Sequence, residues 1–320
     1  MRVLFRADAT REVGAGHVMR CWALAEELSA RGVSVTWQGT IDVPWIRSAL
    51  IEQGWGLVAP IGSPRGQALP FRADVVIVDS YTEDESYREK LLDQGIPVVA
   101  IVDDSFASAG PASLWVNPGA PSTLRVDEPD SFLNGPDYVL IRREVRKLRA
   151  LRHESGLSVS RATGITFLLG GTDFAGLAPL IDRMSGLSER AGGVFAGPGA
   201  REGGSEVKWL RGGPELLRRA SQSRLVVSTA GVSSWEMAHI GVPLALMQVT
   251  GNQAGNYSWM TTMGWARPLG RVDPRRTQPA DFERALRDAF SPSDAQTSAA
   301  LSRIDGLGAA RVTEAVLSLI

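Results

Sequence analysis

Short apolar runs recur along this chain at intervals that leave room for a helix between them. Runs of this kind, bounded by glycine or polar residues, are typical of parallel strands buried on both faces of a sheet. The predicted strands of the first half are 3–5, 33–37, 75–78, 98–102 and 114–116. Those of the second half are 164–169, 193–196, 225–228 and 244–248. The pattern predicts an α/β protein with two parallel sheets.

The segments between the runs have a helical period. Segment 17–31 has an apolar stripe, ends at Gly32 and completes a βαβ unit. Its apolar residues are Val18, Cys21, Trp22, Ala25 and Leu28. The last predicted helix, 310–320, is amphipathic and needs a partner surface, which either half can supply. We name the N-terminal domain as the candidate partner of this last helix.

The length of 320 residues exceeds one ordinary core and suits two domains. We predict Rossmann-like domains at 1–152 and 153–320, with the polar stretch 152–164 as their connection. Ligands of open parallel sheets bind beyond the carboxyl ends of the strands. Two facing sheets therefore predict an interdomain cleft as the ligand site.

Composition excludes several classes of function. The net charge of -1 comes from well-mixed acids and bases, without the basic stripe that nucleic acid requires. The densest basic cluster, within 142–152, is predicted to be the solvated face of a connecting helix. A single cysteine, Cys21, excludes an internal disulfide and is expected to be a buried packing residue.

The chain enters its first strand-like run without a signal-peptide pattern, and no stretch approaches the length of a membrane span. We expect a cytoplasmic protein that does not insert into membranes. We also expect a monomer.

The segment after the first strand contains Gly14 and Gly16 and leads to a helix that begins near His17. Glycines let backbone amides approach a ligand, and a helix N-terminus favours an anion. An imidazole at such a corner can act as a general base near neutral pH, although a histidine that packs at the helix start is the usual alternative. His153 and His239 are interpreted as structural, and three scattered histidines show no metal-binding spacing.

The second half contains candidates for nucleotide binding at two strand ends. Gly171 and Thr172 can offer amides and a hydroxyl to phosphate, although a plain turn explains them nearly as well. After the strand at 225–228, small residues precede another helix N-terminus that suits phosphate. They are Ala230, Gly231 and Ser233. Glu236 in that helix can accept both ribose hydroxyls, or it is simply an exposed helical acid.

Further polar groups follow other strands. The loop 250–256 places the amides Asn252, Gln253 and Asn256 where they can bind sugar hydroxyls. In the first half, Asp79 and Tyr81 follow one apolar strand. The acids at 103 and 104 follow the next strand. Acidic pairs can bind magnesium, but helix N-termini can stabilise a diphosphate without it, so we predict no metal and no cofactor.

Taken together these segments resemble the UDP-sugar hydrolases of the pseudaminic acid pathway, which act on UDP-2,4-diacetamido-2,4,6-trideoxy-β-L-altropyranose. The matching residues are Arg6, Asp8, Gly14, Gly16, His17, Arg20, Asp79, Tyr81, Asp103, Asp104, Asn117, Ile141, Arg142, 170–173, 228–236, Asn252 and Gln253. Ser80 departs from the pattern, since some members have a histidine there. The Gly-Gly-Thr-Asp segment 170–173 and the Glu236 helix also resemble the wider GT-B glycosyltransferases, including the lipid II N-acetylglucosaminyltransferase.

The resemblance implies a GT-B fold, with the nucleotide mainly on the C-terminal domain and the sugar facing the N-terminal one. It implies that His17 activates water for inverting attack on the anomeric carbon, with UDP leaving and no metal. Asp79 would support the edge of the N-terminal sheet where the polar residues collect. Tyr81 and the 252–256 loop would orient sugar and pyrophosphate, and Glu236 would bind ribose. The remaining expected substrate contacts are Arg6, Asp8, Gly14, Gly16 and Arg20.

Two other functions stay open. In a true glycosyltransferase the same base would deprotonate an acceptor hydroxyl, and the absence of a basic amphipathic patch in the N-terminal half favours water instead. In a nucleotide-sugar sensor the ligand would bind without turnover. His17 in its glycine-rich setting favours an enzyme.

Overall fold

A computed structural model describes residues 1–58, 72–81, 85–103, 109–156, 161–184, 192–198, 206–289 and 300–320. Asp104 and the stretch 157–160 of the predicted connection lie outside these ranges. The chain divides into two compact units. Unit 1 comprises 1–142 and 306–320, and unit 2 comprises 143–305. The C-terminal segment thus belongs to unit 1, and the helix that contains the predicted boundary at 152 belongs to unit 2.

The strands and helices alternate along most of the described chain. The strands are β1 (Arg2–Ala7), β2 (Ser34–Gln38), β3 (Gly56–Val58), β4 (Val75–Asp79), β5 (Val98–Ile101), β6 (Leu114–Asn117), β7 (Phe132–Asn134), β8 (Ile165–Leu168), β9 (Val194–Gly197), β10 (Val207–Trp209), β11 (Leu225–Thr229), β12 (Leu244–Gln248) and β13 (Ala266–Arg271). The α-helices are α1 (Gly16–Ala30), α2 (Pro44–Glu52), α3 (Glu85–Asp93), α4 (Arg143–Glu154), α5 (Ala178–Asp182), α6 (Pro214–Ser221), α7 (Val232–Ile240), α8 (Ala254–Thr262), α9 (Pro279–Ala289) and α10 (Gly308–Leu317).

Unit 1 contains a seven-stranded sheet in the order β3-β2-β1-β4-β5-β6-β7. All of its strand pairs are parallel. Every residue of β4 is buried, as expected for a strand covered on both faces. The strand order reverses between β1 and β4, which makes this pair the topological switch point of the sheet.

The C-terminal helix α10 packs on α1 within unit 1. Gly308, at the start of α10, lies so close to the backbone of 138–139 that a Cβ there would overlap the carbonyl oxygen of Val139. The apolar residues Val312 and Val316 of α10 are buried in the same core as α1. The amphipathic pattern of 310–320 is therefore explained by burial on unit 1.

Unit 2 contains a six-stranded parallel sheet in the order β10-β9-β8-β11-β12-β13. Its switch point lies between β8 and β11. Helix α7 ends at Gly241, whose left-handed φ of 81° suits glycine and lets Val242 N–H donate to the Met237 carbonyl. None of the described helices is both long and apolar enough to cross a bilayer.

The basic helix α4 differs from its prediction at two arginines. Arg152 is buried, and its guanidinium donates to the Ser221 carbonyl at 2.6 Å. Arg149 likewise donates to the Ile304 carbonyl at 2.8 Å. These arginines belong to the packing of unit 2, whereas Arg143 and Lys147 are exposed as expected.

Candidate functional site

The segment that joins β1 to α1 lies at the switch point of unit 1. Residue Ala9 pairs with Ile41 beside it, and Gly14 N–H donates to the Thr10 carbonyl at 2.9 Å. Gly14 adopts a φ of 81°, a conformation that other L-residues avoid. This turn starts α1 at Gly16 and places His17 in its first turn.

His17 is almost fully buried, with 5% of its side chain exposed, and it pairs with Asp79. Its Nδ1 lies 2.5 Å from Oδ1 of Asp79, the last residue of β4. The carboxylate can only accept, so Nδ1 carries the proton and the Nε2 lone pair is left as a proton acceptor. The pair has the arrangement of a general base oriented by a carboxylate.

Arg20, one turn along α1, binds the same carboxylate with two nitrogens. Its Nε lies 2.5 Å from Asp79 Oδ2, and a terminal nitrogen donates to Oδ1 at 2.5 Å. Burial alone would raise the pKa of Asp79, but the charge of Arg20 and the hydrogen bonds from Arg20 and His17 outweigh it and lower that pKa well below its usual range. Burial would also lower the pKa of Arg20, and Asp79 reverses this, raising it well above its usual value. Asp79 therefore stays ionised beside His17.

Cys21 completes the surroundings of Asp79. It is buried, and its Sγ lies 3.5 Å from Asp79 Oδ2. Burial, together with the Asp79 charge, raises the pKa of the thiol well above its usual value. Cys21 is thus the inert packing residue that the sequence predicts.

Tyr81 also contacts the histidine. Its ring meets the His17 ring edge-on, with centroids 4.6 Å apart, and its hydroxyl donates to Asp103 Oδ2 at 2.5 Å. Tyr81 is 41% exposed, so part of the ring remains accessible beside a buried imidazole. The structure thus brings together three residues that the sequence predicts as catalytic: His17, Asp79 and Tyr81.

Arg6 and Asp8, both predicted to contact substrate, pair with each other at the end of β1. Arg6 Nη1 lies 2.8 Å from Asp8 Oδ1, and both residues are buried. The same carboxylate oxygen accepts the Thr40 N–H at 2.8 Å. The pair fixes the carboxyl end of β1 against the segment after β2.

In unit 2 the segment after β8 is shaped by Asp173. This residue has a positive φ of 48°, and its carboxylate accepts the N–H groups of Leu177 at 2.8 Å and Ala178 at 3.1 Å. Asp173 therefore caps the start of α5, a role that the sequence analysis did not identify. Gly171 and Thr172 lie half-buried in the same turn.

The second switch-point strand, β11, leads through Ala230 and Gly231 into α7. Gly231 is the N-cap residue and supplies no side chain to the first-turn N–H groups. Ser234 donates from its hydroxyl to the Gly231 carbonyl at 2.6 Å, while Ser233 is half-buried. The start of α7 thus presents backbone donors and a positive dipole end, which suit an anion.

Glu236 lies in α7 and is only 3% exposed. The alternative that it is an exposed helical acid is therefore wrong.

The amides of 252–256 have different settings. Asn252 is exposed and accepts the Thr250 hydroxyl at 2.5 Å, whereas buried Gln253 accepts the Val249 N–H at 3.0 Å. Asn256 lies in α8, because the helix begins at Ala254 inside the predicted loop 250–256. Its side chain donates to the Ala230 carbonyl at 3.4 Å, which joins α8 to the start of α7. Trp259 of α8 stacks on Trp235 of α7 with centroids 5.6 Å apart and fixes the same junction.

The network around His17 includes two contacts that the sequence analysis missed. Asp103, to which the sequence analysis assigned no contact with Tyr81 or Arg20, accepts from Tyr81 and lies 3.9 Å from Arg20 Nη1. The sequence feature that could have identified Asp103 is its position just after β5, the strand next to β4. No group of three or more histidine, cysteine or acidic residues suited to a metal occurs in the described part of the chain.

Comparison with known proteins identifies the fold. No protein-family model and no curated protein matches the chain. The crystal structure of the kitacinnamycin glycotransferase matches with a TM-score of 0.66 at 18% identity, over 100% of this chain and 99% of that one. MurG from Acinetobacter baumannii matches with a TM-score of 0.62 at 16% identity, over 99% of both chains. UDP-GlcNAc 2-epimerase from Neisseria meningitidis, bound to UDP-GlcNAc, matches with a TM-score of 0.59 at 13% identity, over 99% of this chain and 100% of that one. The predicted α/β class and GT-B fold are confirmed.

Proposed function

We propose that this protein is an enzyme that acts on a nucleotide sugar, and that it hydrolyses a UDP-linked diacetamido-trideoxy sugar with inversion. The observation that carries the proposal is the buried His17–Asp79 pair at the switch point of unit 1, with Nδ1 and Oδ1 2.5 Å apart. Similar solved structures include glycosyltransferases and an epimerase bound to UDP-GlcNAc, which supports a nucleotide sugar as substrate.

The reaction begins at His17 Nε2, which accepts a proton from water as the water oxygen attacks the anomeric carbon. The bond from that carbon to the diphosphate oxygen breaks, and its electron pair leaves with UDP. Direct displacement inverts the anomeric configuration. The imidazolium that forms is stabilised by Asp79, which stays ionised because Arg20 and His17 lower its pKa.

Unit 2 contributes the nucleotide contacts in this proposal. The N–H groups at the start of α7 stabilise the negative charge of the departing diphosphate, with Ala230, Gly231 and Ser233 around them. Glu236 accepts the two ribose hydroxyls. Gly171 and Thr172 offer further donors to phosphate, and the 252–256 loop and Tyr81 orient the sugar and pyrophosphate.

The first experiment incubates the purified protein with UDP-2,4-diacetamido-2,4,6-trideoxy-β-L-altropyranose in EDTA, without an acceptor, and follows UDP and the freed sugar by NMR. UDP-N-acetylglucosamine serves as the control substrate. We expect release from the first substrate alone, with the inverted anomer appearing first. No release despite UDP binding would contradict the hydrolase.

The same assay tests the base. His17→Asn should abolish turnover and leave UDP binding nearly intact, because unit 2 supplies the nucleotide contacts. His153→Asn is the matched control, since His153 is an exposed histidine of α4, and we expect full turnover from it. An unchanged rate in His17→Asn would remove His17 from the mechanism.

Glycosyl transfer is the second candidate, because several similar structures are described as glycosyltransferases. In a glycosyl transfer, His17 would take the proton from an acceptor hydroxyl instead of from water. Turnover that appears only on addition of a hydroxyl acceptor would establish this alternative.

A further inference from the structure

The guanidinium of Arg20 is occupied mainly by Asp79. The sequence predicts Arg20 as a substrate contact, but only 14% of its side chain is exposed. Its Nε donates to Asp79 Oδ2 at 2.5 Å, and Nη2 donates to Asp79 Oδ1 at 2.5 Å. A bidentate contact of this kind fixes the plane of the carboxylate as well as its position. Arg20 therefore determines how Asp79 meets its other neighbours.

The described contacts of the fully buried Asp79 side chain all come from donors. Oδ1 accepts from Arg20 Nη2 and lies 2.5 Å from His17 Nδ1. Oδ2 accepts from Arg20 Nε and lies 3.5 Å from Cys21 Sγ. A carboxylate offers about four lone-pair positions, so this arrangement leaves no position on either oxygen for a proton.

Loss of the guanidinium would change what Asp79 can do. Burial raises the pKa of Asp79, and the charge of Arg20 is the largest of the effects that lower it. A buried carboxyl group without that partner takes up a proton and becomes a donor to His17 Nδ1. The proton of the neutral imidazole then belongs on Nε2, which has no lone pair left to accept a proton from water.

We propose that Arg20 is a positioning residue that selects the Nδ1–H tautomer of His17 by keeping both oxygens of Asp79 as acceptors. The inference rests on the proposed function, because only this tautomer leaves Nε2 able to take a proton from water. It concerns which nitrogen carries the proton of the neutral ring, and not how readily the ring is protonated. Arg20 is not a catalytic residue here, because it acts through Asp79.

The role depends on the Nε and Nη2 atoms of Arg20. Nη1, which lies 3.9 Å from Asp103, makes no contact with Asp79. The donors that Arg20 presents to Asp79 are therefore the same whatever surrounds Nη1. The selection of the tautomer follows from these short contacts and needs no balance of charge over a wider network.

Three variants separate the donors of Arg20 from its charge. Arg20→Met removes both and keeps an unbranched apolar side chain in the same space. Arg20→Lys keeps a positive group that can only donate. Asp79→Asn is the reference for the other tautomer, because its amide can donate to His17 Nδ1. We expect Arg20→Met to have the tautomer of Asp79→Asn, and Arg20→Lys to have that of the wild type.

NMR of the isotope-labelled His17 ring, at a pH where the ring is neutral, shows which nitrogen carries the proton. The His17 signals are those lost in His17→Asn. The full-length wild type should have its proton on Nδ1, and Arg20→Met should have it on Nε2. Arg31→Gln is the matched control, because Arg31 pairs with Glu314 at 2.7 Å at an exposed position of unit 1. It should keep the wild-type signals.

Turnover with the UDP-linked substrate provides a second readout. In Arg20→Met we expect kcat to fall roughly 100-fold or more with KM little changed, because a base in the wrong tautomer is lost while binding remains. Arg20→Lys should recover most of this loss. A higher KM with kcat retained would instead make Arg20 the substrate contact that the sequence predicts, and would overturn the positioning role.

The double variant Arg20→Met with Asp79→Asn tests whether Arg20 acts through Asp79. It should be no slower than Asp79→Asn alone, because the two changes remove the same tautomer. A much slower double variant would overturn the inference. Because this variant removes both charges, it also provides the test if Arg20→Met alone does not fold.

The NMR measurement separates this inference from the proposed function, since it needs no turnover. A proton that moves to Nε2 in Arg20→Met of a protein without hydrolase activity would support the role of Arg20 and contradict the proposed reaction. A proton that stays on Nδ1 in Arg20→Met would overturn the role of Arg20 and leave the proposed reaction in place.

Discussion

His17 and Asp79 contact each other through Nδ1 and Oδ1 at 2.5 Å, although 62 positions separate them in the sequence. The contact exists because β1 and β4 are neighbours in the sheet, with Ala7 directly opposite Asp79. Helix α1 follows β1 after the turn 8–15, and its first turn reaches the end of β4. The switch-point topology thereby places a carboxylate beside the histidine.

Loss of the Asp79 charge should destabilise the protein. Asp79→Asn leaves Arg20 with little compensation in a buried site, and we expect unfolding to become easier by about 3–5 kcal/mol. Turnover should fall as well, because the imidazolium loses its partner. Denaturant unfolding followed by circular dichroism measures the first effect, and UDP release measures the second.

The matched control is Asp281→Asn in α9, whose carboxylate pairs with Arg284 at 2.6 Å on the exposed surface. Exposed pairs contribute little, so its unfolding midpoint should stay near that of the wild type. Equal midpoints for the two variants would show that the Asp79–Arg20 pair contributes no more than a surface pair.

The buried acid of α7 should recognise ribose. Glu236→Gln removes the charge that strengthens hydrogen bonds from the two hydroxyls, and we expect UDP to bind about tenfold more weakly. The 2′,3′-dideoxy analogue, which lacks both hydroxyls, should bind the variant and the wild type equally. Isothermal titration calorimetry with both ligands makes the comparison.

Glu215→Gln, at an exposed position in the first turn of α6, is the control for the loss of a negative charge in unit 2. It should bind UDP like the wild type. If Glu236→Gln weakened both ligands equally, Glu236 would support the fold of the site without contacting ribose.

The attachment of α10 to unit 1 should depend on Gly308. In Gly308→Ala the added Cβ overlaps the Val139 carbonyl oxygen, so the helix or the 138–139 backbone must move, at a cost of about 1–3 kcal/mol. Gly251→Ala is the control, because a Cβ there meets nothing within 4 Å. Thermal unfolding of both variants should show a lower midpoint only for Gly308→Ala.

The central strands could be predicted from sequence because burial on both faces makes them continuous apolar runs. The predicted strand 75–78 is β4, and 225–228 is β11. Four strands were missed: β3, β7, β10 and β13. All four lie at sheet edges, where partial exposure removes the apolar run that marks a strand.

The sequence predicted the candidate site residues only where a local sequence pattern marks them. His17 at a strand-to-helix corner follows from neighbouring glycines, and polar residues at strand ends follow from topology. The partners of these residues do not, since the contact of Arg20 with Asp79 and Asp103 depends on strand order and register across long sequence separations. Asp173 is a local contact that the sequence analysis missed, because its carboxylate accepts the N–H groups of Leu177 and Ala178 at the start of α5.

Acid should destabilise unit 2 through His239. This residue is buried in α7, its Nδ1 lies 2.9 Å from the Ile304 carbonyl oxygen, and its Nε2 has no hydrogen-bond partner among the described residues. The pKa of His239 is lowered from an ordinary 6.5 to about 4, chiefly by burial. The charges of Arg149 and Arg146 also lower this pKa, and the Ile304 carbonyl and Asp305 oppose them. The folded protein therefore contains a neutral histidine at neutral pH.

Its contribution to stability is complete above about pH 6.5, where His239 is neutral in both the folded and unfolded states. As the pH falls toward about 4, the unfolded chain binds a proton that the folded chain does not, and stability decreases by roughly 3 kcal/mol in total. His239→Asn can still donate a hydrogen bond to the Ile304 carbonyl and does not titrate. The difference in unfolding free energy between wild type and His239→Asn should therefore shrink or reverse from pH 7 to pH 4. His153→Asn, on the exposed face of α4, should run parallel to the wild type, and the same parallel course in His239→Asn would show that His239 titrates alike in the folded and unfolded chains.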